Sequence, residues 1–182
     1  MVGRPVVGLP LGGNIKHQIL GAALIVGMSG ENIDFTDLIP ELKDWNGGTG
    51  IDIESWIGCK GDYKHLIGYA RILWPDFTEH DGCIFQGDSV DEENYRAFLA
   101  QTKGNKTAVE KVLNHRHIVD IFSRSHHEMP SASVVLYLGR LMAEILQAKL
   151  NRDFPDRKVT VTFPEGAFED ILEYQITFFQ ER

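Results

Sequence analysis

The sequence predicts an α+β fold, a mostly helical single domain with a C-terminal antiparallel β-hairpin packed on a long helix. Three observations carry that reading. Apolar residues recur at helical spacing through most of the chain, most extensively after Pro130. The pattern switches to strict alternation near the end, where Val159, Val161 and Phe163 and then Leu172, Tyr174, Ile176 and Phe178 alternate with polar residues. The six residues "PEGAFE" between the two alternating runs suit a hairpin connection. Its one apolar face needs a cover, and the preceding helix offers Leu138, Leu141, Met142, Ile145 and Leu146.

The 182 residues fit one domain, and 43% hydrophobic with 24% charged residues is ordinary globular composition. We place the domain at 28–182. Residues 1–27 read as an N-terminal extension of uncertain role. The apolar stretch at their end, Ile19 running to Met28, is far short of the roughly 20 residues a bilayer-spanning helix needs. A structural strand or helix ranks second for this segment and a secretion signal last, since no A-x-A cleavage pattern follows.

Along the domain, Thr36 is a candidate cap for a short helix reaching about Trp45, and "NGGTG" then breaks the chain. Asp62 is expected to cap a helix with Leu66, Ile67, Ala70, Leu73 and Trp74 on one stripe, stopped by Pro75. "GCIFQG" reads as a short strand. Ser89 with Glu92 and Thr107 with Glu110 both match the capping box, in which a hydroxyl and a carboxylate satisfy first-turn amides reciprocally. Gly104 stops the first of these helices. In the second, the Val109, Val112 and Leu113 stripe lies opposite the Ile118, Val119, Ile121 and Phe122 stripe. The helix therefore breaks around "NHRH" or is buried on both sides. The long helix ends before Pro155.

Composition also bears on function. The formal net charge of -8 opposes binding to phosphate backbones, so no nucleic-acid partner is expected, and no membrane partner either. Asp76, Glu79, Asp81, Asp88, Asp91, Glu92 and Glu93 crowd one region with no Lys or Arg before Arg96. This is a solvated face or a docking surface for a basic partner. Cys59 and Cys83 lack metal or redox spacing and read as buried or half-buried free thiols, which points to a reducing, cytoplasmic setting.

Two histidine-bearing stretches and three tryptophans are the site candidates. In "NHRHIVDIF", His115 and His117 with Asp120 could hold a divalent metal. Two imidazoles and a carboxylate leave a fourth zinc position open for water. Positions i and i+2 share a side on a strand but diverge by about 200° on a helix, so local structure decides. A helix ending here would instead set His115 beside terminal carbonyls, with no metal required. "SHHE" adds His126, His127 and Glu128, a segment able to respond to mild acid. His80 and Asp81, in what reads as a loop between Pro75 and Gly82, form the second candidate.

Trp45, Trp56 and Trp74 either wedge helices or present an aromatic surface to a ligand or partner. "NGGTG" lacks the Lys-Ser/Thr ending of a phosphate-binding loop, so its glycines read as turn residues. No nucleophile elbow or calcium-loop pattern is present. The expected function is a small acidic protein-binding module without catalysis and without a cofactor, its partner unspecified; the alternative is a metal-dependent hydrolase using the His/Asp cluster.

Overall fold

A computed structural model describes residues 33–122, 129–164, 166 and 168–182. The extension 1–27 and the "SHHE" segment lie outside the described residues.

The first elements are short because their sequence keeps interrupting them. Helix α1, Phe35–Leu38, is capped by Asp34, not Thr36: the Asp34 carboxylate accepts from the Thr36 amide. Pro40 then prevents the single helix expected to run to Trp45, and the chain tightens into a 3₁₀ turn, Pro40–Asp44. In α2, Trp45–Gly48, Asn46 and Gly47 adopt positive φ, which an isolated turn tolerates and a longer helix does not. Helix α3, Ile53–Lys60, is capped by Asp52. No apolar stripe marked it in advance. Helix α4, Tyr63–Leu73, has the expected Asp62 cap and ends before Pro75.

The residues expected to form a loop after Pro75 are instead a hairpin. Strands β1, Phe77–His80, and β2, Cys83–Gln86, pair antiparallel with His80 opposite Cys83. Asp81 (φ 49) and Gly82 (φ 73) make the two-residue turn. Two consecutive positive φ values are what the twist of a tight hairpin demands, and Asp-Gly meets the demand cheaply.

Helices α5, Glu92–Gln101, and α6, Lys106–Leu113, follow, capped by Asp91 and Asn105. Both caps differ from the expected Ser89 and Thr107, because a better-placed Asx side chain stands directly before each first turn. Helix α6 breaks at Asn114, giving the two-residue strand β3, Arg116–His117, and a 3₁₀ turn, Ile118–Ile121. The long helix α7, Ala132–Asp153, is capped by Ser131. Strands β4, Val159–Thr162, and β5, Gln175–Gln180, close the fold, with a 3₁₀ turn, Ile171–Glu173, between them. The sheet order is β3-β5-β4, antiparallel throughout.

The C-terminal hairpin packs on α7 as expected. Met142, Leu146 and Leu150 meet Val159, Val161 and Phe178 in the main core. A second cluster, Cys83, Phe85, Tyr95 and Val109, joins the first hairpin to α5 and α6. Gly139 lets α7 approach the sheet: a Cβ there would sit 2.1 Å from the Phe163 ring.

Buried side chains of α6 connect the two hairpins. Glu110 and Asn114, one turn apart, lie between the outward edges of β2 and β5. Asn114 accepts from the Gln86 amide at 3.2 Å and donates to the carbonyls of Ile84 (2.9 Å) and Phe178 (3.2 Å). Glu110, fully buried, accepts from the amides of Ile84 and Gln180, each at 2.9 Å. Its two oxygens also receive the Arg182 guanidinium fork at 2.9 and 3.2 Å and the Gln180 side-chain amide at 2.6 Å. Glu110 is therefore not the capping-box residue expected. It completes two sheet edges that have no strand partner at these positions, and a buried amide left without an acceptor would be costly. Gln147 on α7 does the same for β4, bonding the Val159 carbonyl and the Val161 amide, each at 2.9 Å.

Candidate functional site

Helix α4 is amphipathic, yet most of its apolar stripe faces solvent. Tyr63, Leu66, Ile67, Ala70 and Trp74 follow the i, i+3, i+4, i+7 rule, which puts them on one side. Tyr63 is 70% exposed and Leu66 and Ile67 are each 67% exposed. Only at its C-terminal end does the helix dock, where Ile72 and Leu73 pack against the main core. Ile57 of α3 is also exposed, and so is Tyr69, which lies on another side of α4. These side chains are exposed large hydrophobics, which a small domain more often buries.

The three tryptophans each make a separate contact. The Trp56 indole N–H donates to Glu41 at 2.7 Å. The Lys60 ammonium lies 5.7 Å from the Trp45 ring centre. Trp74 faces Lys149 and Arg152, at 5.5 and 5.8 Å from its ring, and remains 41% exposed. Trp74 is thus held at the base of α4 and still presents ring surface outward.

The acidic region is partly paired within the chain. Arg71 pairs with Asp76 and Asp88, Arg157 with Glu79, Lys106 with Asp81, and Arg96 and His80 with Glu92. The Asp91 carboxylate is used as the α5 cap. With its charges engaged internally, this region has less field to offer a basic partner.

His80 and Asp81 belong to that network. His80 Nε2 lies 2.9 Å from Glu92, and its ring meets Tyr95 edge-on with centres 4.7 Å apart. Asp81 accepts from the Tyr95 hydroxyl at 2.7 Å and from Lys106 at 2.8 Å. The bonds from Lys106 and Tyr95 hold the Asp81 carboxyl below its ordinary range. Burial, reinforced by Asp81, pushes the Tyr95 phenol upward. Burial also raises the Cys83 thiol, with Glu110 adding to the effect, so Cys83 is a poor nucleophile. These groups fasten the hairpin turn to α5 and α6. Cys59, expected to be at least half-buried, is exposed; both cysteines are free thiols.

His115 and His117 come together where the helix breaks. His115 Nδ1 sits 2.6 Å from the Val112 carbonyl at the end of α6, the carbonyl contact anticipated for a helix terminus. His117 Nδ1 sits 2.6 Å from the Leu172 carbonyl. The two ring centres are 5.6 Å apart with planes at 81°. Asp120 is exposed, and among the described residues no group of three or more His, Cys, Asp or Glu side chains converges as a metal site.

An open cleft of about 420 Å³ lies beside the glycine-rich loop, lined by Thr36, Lys43, Gly48, Thr49 and Gly50 among others. It is not a phosphate cradle of backbone amides. The Thr49 and Gly50 amides both donate to the Trp45 carbonyl, and the Ile51 amide donates to Leu42. Nothing in the sequence had distinguished an exposed α4 stripe from a buried one; periodicity identifies an apolar face without saying what covers it.

No helix among the described residues is long and apolar enough to cross a membrane. Comparison of the chain with protein-family models, with curated proteins and with solved structures finds no match in any of the three.

Proposed function

We propose that this chain is a non-catalytic protein-binding module whose docking face is the outer side of α4, flanked by Ile57 of α3. The supporting observation is the exposed stripe Tyr63, Leu66, Ile67 and Trp74 on a helix that docks only at its end. Its occupant is an amphipathic helix of another protein carrying acidic residues beside its apolar stripe. The heptad-like spacing of α4 suits helix-on-helix packing. Lys60 and Lys64 are exposed near the stripe, with Asp62 between them used as the α4 cap, a locally cationic spot on a chain of net charge -8. Self-association would bring two such cationic spots together, along with two acidic bodies, and is disfavoured on both counts. A cytoplasmic setting belongs to the proposal, because exposed Cys59 is a free thiol.

Photo-crosslinking from position 67 in native cell extract tests this reading. The expected product joins the α4 face to an acidic helical peptide of a different protein, identified by mass spectrometry, and Leu66→Glu abolishes it. Crosslinks only to a second copy of the chain would refute it. So would co-sedimentation with anionic vesicles that Leu66→Glu removes, since a lipid surface would then be the occupant.

A further inference from the structure

We infer that His115 and His117 form a surface site for a divalent zinc ion, held by the two Nε2 atoms and completed by water. This inference is independent of the α4 docking face. Three features carry it.

The first is tautomer control. A carbonyl oxygen only accepts, so the contacts from His115 Nδ1 to Val112 and from His117 Nδ1 to Leu172 put the proton on Nδ1 in both rings. In the neutral form each Nε2 then carries the lone pair, and neither Nε2 has a partner among the described residues. Histidines that ligate metals are set by this same arrangement, with the far N–H donated to a carbonyl or carboxylate.

The second is spacing. With a Zn–N bond of about 2.1 Å and a ring centre about 1.2 Å beyond the nitrogen, two imidazoles at a tetrahedral angle have centres about 5.4 Å apart. The observed separation is 5.6 Å, with the planes nearly perpendicular at 81°.

The third is rigidity. His115 follows directly on the α6 terminus, where the Asn114 side chain is buried. His117 lies in β3, paired with Gln175, and precedes buried Ile118 and Val119. The two anchors are backbone carbonyls of different elements, which fixes both rings with little entropy left to lose on binding. Imidazole donors select zinc, copper or nickel over the oxygen-seeking magnesium and calcium. With two protein ligands the site binds without the closed cage of a structural zinc centre, and its open positions are available to water or to an exogenous ligand.

The test titrates tag-free protein with zinc chloride by calorimetry, while imidazole ¹⁵N shifts are followed by NMR. Before zinc, both rings are expected in the Nδ1–H form. Zinc then moves the His115 and His117 Nε2 resonances together, saturating at one equivalent. Loss of an outer partner of a ligand already costs 10–100-fold, so His115→Gln or His117→Gln is expected to weaken binding at least about tenfold. His65→Gln and the pair His126→Gln/His127→Gln leave it unchanged. The inference is overturned if the wild-type Nε2 resonances do not respond, if the double variant at 115 and 117 binds as well as wild type, or if the 126/127 pair abolishes binding. Should either ligand variant unfold, the wild-type resonances decide.

Discussion

Replacing Glu110 by Gln keeps the shape of the side chain and removes its charge, which isolates the electrostatic role of the group joining the two hairpins. One carboxylate oxygen accepts from the Ile84 amide, the Gln180 side chain and Arg182; the other accepts from the Gln180 amide and Arg182. A glutamine must turn an NH₂ toward one set. The less damaging choice gives up the second oxygen, leaving the buried Gln180 amide and one guanidinium N–H facing a donor. An orphaned buried amide costs about 1–3 kcal/mol, and the bonds to charged Arg182 are worth about 1.5–3 kcal/mol before discount. Because the Arg182 side chain is 33% exposed and recovers water contacts, we take the lower part of that range.

The sum is a loss of about 3 kcal/mol. With a urea slope of about 2 kcal/mol/M, the midpoint falls by about 1.5 M at unchanged slope. Arg182→Ala is expected to cost about 3 kcal/mol or more, because the fully buried carboxylate loses its counter-charge even though three N–H donors remain. Equilibrium urea unfolding followed by tryptophan fluorescence measures both. A Glu110→Gln variant within about 1 kcal/mol of wild type would refute the edge-completing role.

Four further expectations use simpler assays. Leu66→Glu with Ile67→Glu changes stability by no more than about 0.5 kcal/mol in thermal unfolding, because the stripe is exposed; a large loss would mean that something in the chain covers it. Gly82→Val, which forces a β-branched residue into positive φ at the hairpin turn, destabilises by about 1–2 kcal/mol in urea. In native protein one thiol, Cys59, reacts promptly with a thiol reagent, and Cys83 reacts only on unfolding. Acid also has a defined sign. Asp34, Asp52, Asp76, Asp81 and Glu181 all have carboxyls held below their ordinary range in the folded chain, by hydrogen bonds and nearby cations. The unfolded state therefore takes up protons first, so stability is full above the ordinary carboxylate range near pH 4 and falls as pH drops toward the lowered values. Asp81→Asn should flatten part of that acid limb; an unchanged slope from pH 5 to 2 would count against the Lys106 and Tyr95 contacts.

How much of this was legible beforehand differs by element. The long helix and C-terminal hairpin were plain, since both have a single burial face and thus a clean period. The Asp62 cap and the Pro75 stop were plain for the same local reasons. Other features were misread where two local signals competed. Thr107 and Glu110 match a capping box, but Asn105 stands directly before the first turn and takes the cap, which frees Glu110 for the interior. Asp81-Gly82 carries a strong hairpin signal, yet an adjacent histidine drew the reading toward ligation. Helix α3 has no stripe because its residues are mostly exposed, and β3 is too short to have a period. The histidine contact is a matter of tertiary placement: Leu172, which fixes the His117 ring, is 55 residues away in sequence.

The side chains of Glu110, Asn114 and Gln147 carry a consequence for how this protein fails. Each occupies hydrogen-bonding positions that would otherwise template the addition of a foreign strand. When α6 lifts away from the hairpins, the rims of β2 and β5 are bared at once, β2 with the apolar run Cys83-Ile84-Phe85 and β5 with Ile176 and Phe178 alternating. Partial opening of one two-turn helix, well short of global unfolding, would expose both edges to intermolecular pairing. Substitutions loosening α6 should promote aggregation out of proportion to their effect on the melting temperature.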